Sequence, residues 1–433
     1  MTRKQLFLML LALWISFSMY AQDKLSFDLQ SAKEYALKYN KTIRNSGLSV
    51  SQSQEKLWEA ISAGLPQINA KTDYSNSMGA KISIQFQEDM PATEIPIKPT
   101  SNFNLQVGQL LFNGNYIVGV QIAKLLGTFS EKDLARTERD VISQLTQSYY
   151  LVKVSEESLK ILKANTENLQ AIYKKTEPMV QVGMREKYEL DQLLVQVNSL
   201  NNAYNTAERQ YEVAKNMLRL QLGVSAETEI VLTEDLAGLL EIDQVRACLA
   251  SSFDVDQNVD YQLMNLQEQM SEKQVSMQKS NYLPTISGYY SFTHKILKPA
   301  FDMSPAHVMG LQMNIPVFSS GERRSKVRQA KIDLETAQNN KMLLEDQLGI
   351  QYKQLTFNLK SAVENYENQE RNIQVARDVY ENLKQKYEQG FISGLELTSA
   401  DNNYLKAESD LLSAKLEVLK AQNELNTLTG NIK

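Results

Sequence analysis

Four segments of the chain alternate apolar and polar residues with a period of two. Their apolar members are Ile68, Ala70 and Tyr74; Phe103, Leu105 and Val107; Ile286, Tyr290 and Phe292; and Met309, Leu311 and Ile315. Because a strand points successive side chains to opposite faces, this period predicts four strands with one apolar and one wettable face. They form two hairpins, at about 66–112 and 284–318, with loops near 76–101 and 294–306.

Longer tracts repeat apolar residues every seven positions. Near the end of the chain these are Leu359, Tyr366, Ile373, Tyr380 and Tyr387, then Leu397, Tyr404, Leu411, Val418 and Leu425; earlier they are Leu190, Val197, Tyr204, Tyr211 and Leu218. A sustained seven-residue repeat, with Ala on the neighbouring positions, predicts closely packed coiled coils. We expect two pairs of long antiparallel helices, over 115–223 and 321–430, with turns near Gly183 and Gly390.

The chain also repeats itself internally. Matching residues recur roughly 207–218 positions apart: Leu65-Pro66 and Leu283-Pro284, Gly183 and Gly390, Gly223 and Gly430. We interpret 22–235 and 236–433 as two copies of one unit, each with a helix, a β-hairpin and a long helical hairpin.

The start of the chain indicates export. Arg3 and Lys4 precede an apolar run from Leu6 to Phe17, and a small residue, Ala21, follows at a plausible cleavage point. This layout predicts a signal peptide over 1–21, and the apolar run is short for a membrane anchor. No Cys follows the cleavage point, so we expect no lipid attachment there.

Composition narrows the class further. The net charge is −5 and no run of Lys or Arg stands out, which argues against nucleic acid as a partner. The single cysteine, Cys248, cannot form an internal disulfide. Past the signal peptide no apolar run is long enough for a transmembrane helix, so any membrane insertion has to use strands.

The four strands leave two interpretations open. They could form an ordinary sheet with one buried face, or part of an outer-membrane barrel with apolar residues facing lipid. The export signal favours the barrel. Because open strand edges are not tolerated in lipid, four strands per chain would then require two, three or four copies.

The residues that open each copy carry a family resemblance. The run Leu25 to Ala32, followed by Tyr35 to Asn40, is similar to the N-terminal signature of TolC-like outer-membrane efflux proteins, the outer-membrane factors of tripartite export systems. The helices that lead into Leu65-Pro66 and Leu283-Pro284, and the two glycine-to-glycine helices, also resemble that family. The resemblance covers nearly all of 25–430.

The resemblance implies a fold and a set of partners. The expected fold is mostly α with β: long antiparallel coiled-coil hairpins plus four transmembrane strands per chain, in a trimer whose twelve-stranded barrel continues as an α-helical tunnel. The expected location is the outer membrane, in contact with its lipid, with the helical part in the periplasm. The expected function is passive conduction of substrates exported by an inner-membrane transporter of the RND or ABC type through a periplasmic adaptor.

The helical turns are the first candidate site. By resemblance the adaptor docks at Val182, Gly183, Met184 and Arg185 and at Gln389, Gly390, Phe391, Ile392 and Ser393. The alternative is plain turn chemistry, since Gly supplies the positive φ that a reversing chain needs. The family pattern often has Arg two residues after the second glycine. Here that position is Ile392, so a contact between the turns through an arginine of the second turn is in doubt. Arg185 occupies the matching place in the first copy.

Acidic residues beyond the turns are the second candidate site. Glu189 and Glu396 each follow their glycine by six residues, where family members place acids around the periplasmic aperture. Rings of carboxylates would concentrate cations there. The alternative is a favourable acid near a helix N-terminus. Ser399 stands where some members have a second acid, so the ring is expected to be weaker.

Nothing in the sequence points to catalysis. There is no phosphate-binding glycine loop or His-Glu-x-x-His motif, and His294 and His307 lie at different ends of a loop, which makes a poor metal site. We therefore predict a channel rather than an enzyme, with no cofactor and no metal. The remaining alternative is a soluble periplasmic coiled-coil scaffold or adaptor.

Overall fold

The structure is a computed structural model, and it describes residues 24–85, 93–250, 252–298 and 304–431. The predicted signal peptide, 1–21, lies outside the described residues. By their contacts the residues divide into two compact units, one built from residues up to 47, 133–261 and 344–433, and the other from 48–132 and 262–343. Each unit combines segments of both predicted repeats. The division of the chain into two copies stays a prediction.

The elements of the first half are, in chain order, β1 (Leu25–Phe27), α1 (Leu29–Tyr39), α2 (Lys41–Ser62), β2 (Gln67–Ser75), β3 (Lys81–Ile84), β4 (Thr93–Pro96), β5 (Thr100–Phe112), α3 (Gly114–Gln181) and α4 (Lys187–Leu222). Those of the second half are β6 (Ile230–Leu232), α5 (Leu236–Leu239), α6 (Ile242–Ala250), a 3-10 turn (Val255–Gln257), α7 (Val259–Ser280), β7 (Thr285–Leu297), β8 (His307–Asn314), α8 (Glu322–Glu388) and α9 (Gly394–Thr429). Two long helical hairpins and four longer strands are therefore confirmed.

The four longer strands form one antiparallel sheet in the order β2-β5-β7-β8. The register places the apolar residues on one face: one row across the sheet is Ile68, Val107, Tyr290 and Met309. The neighbouring row, on the other face, is Asn69, Gln106, Ser291 and Val308. The predicted alternation thus becomes one apolar face and one mostly polar face. Among the described residues, β2 and β8 pair on one side only.

Polar side chains connect the strands across the second face. Asn104 Nδ2 lies 3.1 Å from Ser291 Oγ and 3.0 Å from Thr293 Oγ1. Asn102 Nδ2 donates to Asp73 at 3.1 Å. These cross-strand bonds satisfy amides and hydroxyls that would otherwise compete with the ladder for partners.

Most positions of the seven-residue repeat in α8 and α9 are buried as predicted. In the unit that contains the helical turns, Leu359, Leu397, Val418 and Leu425 are fully buried, and Tyr366, Tyr380 and Tyr387 are nearly so. The alanines of the neighbouring rank, such as Ala400 and Ala414, are buried too. Near the turns, one cluster joins all four helices: Leu169 and Ile172 of α3, Leu193, Val197 and Leu200 of α4, Tyr380 and Tyr387 of α8, and Leu397 and Ala400 of α9.

Some short elements were not predicted. β3 and β4 pair within the segment predicted as a loop, and Lys81 and Glu94 form an exposed ion pair across them. β1 pairs in parallel with β6. Four residues or fewer give too little alternation for a period to be recognised, so only partner strands reveal them.

Two buried asparagines occupy equivalent positions in the two halves. Asn40 donates to the carbonyl of Gln221 at 2.7 Å and accepts from the amide of Thr42 at 2.7 Å. Asn258 donates to the carbonyl of Leu428 at 3.0 Å and accepts from the amide of Asp260 at 2.9 Å. Each asparagine therefore bonds to a carbonyl at the end of a long helix, α4 or α9, and to an amide at the start of the helix that follows the asparagine, α2 or α7. Backbone groups at such helix ends have no intrahelical partner. This explains why an Asn closes the N-terminal signature.

Within the described ranges, no helix combines the length and the hydropathy that crossing a bilayer requires.

Candidate functional site: the helical turns

Both turns that join the long helices have the same backbone. Gly183 and Gly390 take positive φ values of 78° and 84°. The amide of Met184 bonds to the carbonyl of Met179 at 2.8 Å, and that of Phe391 bonds to the carbonyl of Lys386 at 2.9 Å. These are the hydrogen bonds of a Schellman helix end, for which Gly is favoured because it lacks a Cβ. The backbone geometry of the turns therefore explains why both positions are glycine.

The side chains of the turns need a further explanation. Val182 is 71% exposed, Met184 is 76% exposed and Phe391 is 76% exposed. Turn chemistry favours small and polar residues at such places. Two short turns therefore expose three large apolar side chains.

Arg185 connects the two turns. Its guanidinium donates to the carbonyl of Ile392 at 2.9 Å and to the carbonyl of Tyr387 at 2.8 Å, and it lies 4.4 Å from the centre of the Tyr387 ring. It also pairs with Glu189 at 3.1 Å. Its side chain is 10% exposed. The sequence put a contact between the turns in doubt, because Ile392 occupies the place where family members often have an arginine. In the structure Arg185 makes the contact between the turns from the first one, using the backbone of Ile392.

The two matched acids differ in their surroundings. Glu189 is buried, pairs with Arg185 and lies against Gly394, where an added Cβ would meet the Glu189 Cβ at 3.5 Å. Glu396 is exposed, as is Ser399. Ser393 is the N-cap of α9, and its side chain accepts from the amide of Glu396 at 3.4 Å. Of these two acids, Glu396 therefore exposes its carboxylate to solvent, and Glu189 does not.

Two residues near the turns were not predicted as site residues. Tyr387 was placed only in the seven-residue repeat, yet its hydroxyl lies 3.0 Å from Thr176 Oγ1 and its ring stacks on Arg185. Asp401 lies in α9 with 0% of its surface exposed, and within the described ranges neither carboxylate oxygen meets a donor in hydrogen-bonding geometry. Burial, and after it the charge of Glu408, raise the pKa of Asp401 to about 6, against the smaller opposing effects of Lys384 and the Tyr380 hydroxyl. The sequence does carry a signal for the burial of Asp401, because it follows the core position Leu397 by four residues and so lies on the same face of α9.

The residues considered for metal binding do not converge. Nδ1 of His307 lies 2.7 Å from the Tyr290 hydroxyl. Among the described residues no group of three or more His, Cys, Asp or Glu side chains is arranged to hold a metal ion. Cys248 is half-buried, its Sγ lies 3.2 Å from Asn426 Oδ1, and burial raises the pKa of its thiol. A raised thiol pKa is the opposite of what a nucleophile needs.

Solved structures with this architecture are outer-membrane channels. The channel CmeC of Campylobacter jejuni aligns with a TM-score of 0.75 at 20% identity, covering 93% of this chain and 85% of its own. CusC aligns with a TM-score of 0.76 at 16% identity, covering 95% of both chains. MtrE of Neisseria gonorrhoeae, solved in its open state, aligns with a TM-score of 0.73 at 15% identity, covering 93% of this chain and 88% of its own. At these identities the likeness establishes the fold.

Sequence comparison establishes the family. The model of the outer membrane efflux protein family matches residues 34–224 and 256–431, so the chain belongs to that family. A curated relative, the probable outer membrane lipoprotein SilC of Salmonella typhimurium, is 20% identical over 410 residues, covering 91% of this chain and 83% of its own length. The protein is an outer-membrane efflux channel with its helical part in the periplasm, and it is not an enzyme. The family resemblance is thus confirmed, and the soluble-scaffold alternative is not supported.

Proposed function

We propose that three copies assemble, each contributing four strands to a twelve-stranded barrel, and that their long helices form a tunnel below it. The assembly conducts substrates passively after an inner-membrane pump has delivered them through a periplasmic adaptor. The observation that carries this proposal is the sheet β2-β5-β7-β8, which has one mostly apolar face and, among the described residues, pairs on one side only at each end.

Closure follows from the physics of strands in lipid. An unpaired strand edge leaves amide and carbonyl groups without partners, and each such group costs several kcal/mol in hydrocarbon. A copy of β2 beside β8 would satisfy both edges. CusC, which shares the fold, undergoes conformational changes that accompany its folding and transmembrane channel formation, and this supports assembly of the same kind.

The helical turns are proposed as the docking surface for the adaptor. The exposed patch of Val182, Met184 and Phe391 supplies apolar contact area, and the contacts of Arg185 hold the two turns together as one surface. A surface that is fixed before binding loses less conformational freedom when a partner binds.

Glu396 is proposed as the main acid of the periplasmic aperture. Three copies would present three exposed carboxylates, which attract cations and repel anions. Glu189, which the sequence placed in the same ring, is paired with Arg185, so its contribution to the field is smaller. Ser399 adds no charge.

The assembly is tested by placing charge on each face of the sheet. Leu105→Lys and Leu311→Lys put charge on the apolar face, where a lysine near the middle of a bilayer costs about 2–4 kcal/mol per copy. We expect the amount of membrane-extracted trimer, measured by native mass spectrometry, to fall about tenfold or more. Gln106→Lys and Gln312→Lys change neighbouring residues on the polar face and should leave trimer levels close to wild type.

The wild-type protein should also produce discrete conductance steps in planar lipid bilayers. Equal trimer levels in all four variants would contradict the assignment of the apolar face to lipid. A wild-type protein that remains a monomer in membranes would contradict the proposed assembly as a whole.

A further inference from the structure

Asp401 is a fully buried carboxyl group next to the helical turns. It lies in α9, none of its surface is exposed, and among the described residues neither of its oxygens meets a donor in hydrogen-bonding geometry. An ionised carboxylate without donors is strongly disfavoured inside a protein, and a protonated one much less so. A buried polar group that stays unsatisfied in a folded protein calls for an explanation.

The Tyr380 hydroxyl of α8 is the donor that acts on Asp401, and it lowers the pKa of that carboxyl less than burial raises it. On α8, Lys384 donates to Oδ1 of Asn168 at 3.0 Å, and its ammonium lies 5.7 Å from the centre of the Tyr380 ring. The Tyr380 hydroxyl accepts from Nδ2 of Asn168, which belongs to α3. The positive charge that acts on Asp401 is thus held by an amide on a different helix.

The other charged groups add no donor. On α9, Glu408 accepts from Nδ2 of Asn165 at 3.0 Å, and Tyr404 stacks on Tyr380 with ring centres 5.6 Å apart. Arg377 of α8 donates to the Tyr404 hydroxyl at 3.3 Å, while Glu381, also on α8, adds negative charge that acts on Tyr380. The side chains that α4 contributes to this core are apolar: Leu193, Val197 and Leu200.

We propose that Asp401 is a proton-sensitive switch for the packing of α9 against α3 and α8 next to the helical turns. When protonated, Asp401 fits the compact four-helix core. When ionised, it favours a looser arrangement in which water or Lys384 reaches the carboxylate. The consequence for transport rests on the proposed function, because the turns next to this core are the proposed docking surface and aperture.

The direction with pH follows from linkage. The pKa of Asp401 is about 6 in the compact packing, against an ordinary value of 3.8. The compact packing therefore binds the proton more tightly, and its advantage is full below the ordinary value and is lost as the pH rises through 6. Between pH 5 and pH 7 the ratio of compact to loosened packing should fall about tenfold.

Amide hydrogen exchange of the full-length protein in detergent tests the switch. We expect protection of amides in 377–384 and 396–408, corrected for the intrinsic pH dependence of exchange, to fall about tenfold from pH 5 to pH 7. Asp401→Asn mimics the protonated carboxyl and should retain the low-pH protection at both pH values. Asp410→Asn, on the same helix but ion-paired with Lys406 and 40% exposed, should behave as wild type.

A wild-type protein whose corrected protection is the same at pH 5 and pH 7 would overturn the switch, whether or not the variants fold. The same tenfold change persisting in Asp401→Asn would overturn the assignment to Asp401. Bilayer recordings separate this proposal from the proposed function. Absence of conductance at every pH would contradict the channel assembly and leave the exchange result standing.

Discussion

At the scale of single residues, Arg185 determines how the two turns are joined. A family pattern with Arg after the second glycine made Ile392 look like the loss of a contact. The structure shows that Arg185, at the equivalent position of the first turn, reaches across to the second turn, because it bonds to backbone carbonyls that any residue at 387 and 392 would provide. A hydrogen bond to a backbone carbonyl does not depend on the side chain of the residue that supplies the carbonyl.

Replacing Arg185 should destabilise the turns locally. Arg185→Ala removes two hydrogen bonds to carbonyls and leaves Glu189 buried without its partner, and breaking a buried ion pair in this way costs about 3 kcal/mol. Amides of 182–193 should then exchange about a hundredfold faster. Lys175→Ala is the control, because its pair with Glu388 is exposed and worth less than about 1 kcal/mol. Similar acceleration in both variants would argue against a special role for Arg185.

The difference between the two matched acids predicts unequal effects on ion selectivity. Glu396→Gln should lower the cation preference of the channel, measured as a smaller reversal potential in a salt gradient, because it removes an exposed charge from each copy. Glu189→Gln should change the reversal potential less, since Arg185 already neutralises that carboxylate. The assignment fails if Glu189→Gln has the larger effect or if neither variant shifts the potential.

At the scale of elements, the ends of α4 and α9 show how one motif acquires different surroundings. Gly223 and Gly430 end equivalent helices with φ values of 77° and 75°. A Cβ at Gly430 would meet nothing within 4 Å, whereas one at Gly223 would lie 2.5 Å from the carbonyl oxygen of Tyr39. The sequence repeat predicts two equivalent glycines, and only the packing of α1 against the end of α4 distinguishes them.

Alanine substitutions should separate the two effects. Gly430→Ala should cost about 1 kcal/mol, from the positive φ alone. Gly223→Ala should cost about 3 kcal/mol, because the backbone of α1 also has to shift. The midpoint of thermal unfolding, followed by the helical circular dichroism signal, should therefore be lower for Gly223→Ala. Equal midpoints would show that α1 yields to the added methyl group without strain.

At the scale of the whole molecule, the period of seven and the period of two in the sequence correspond to two different environments for apolar side chains. The period of seven in α8 and α9 matches residues buried in a helical core, and the period of two in the strands matches a sheet with one apolar face. Exposed Met309 and Leu311 on that face have no covering element among the described residues of their unit. The proposed insertion of this face into the outer membrane would account for this, since lipid would then cover it.

The sequence alone determined the long helices, the four strands, the positions of the turns and the family, because periods of two and seven extended over many residues carry enough signal to be recognised. The short strands β1, β3, β4 and β6 were beyond it, since their identity depends on a partner strand. Only the tertiary structure decided that Glu189 is buried in a pair with Arg185 while Glu396 is exposed to solvent. It also decided that Asp401 is fully buried, with no donor in hydrogen-bonding geometry among the described residues. Periodicity fixes which side of a helix faces the core, but the partner of a charged side chain depends on which residues of other helices arrive beside it.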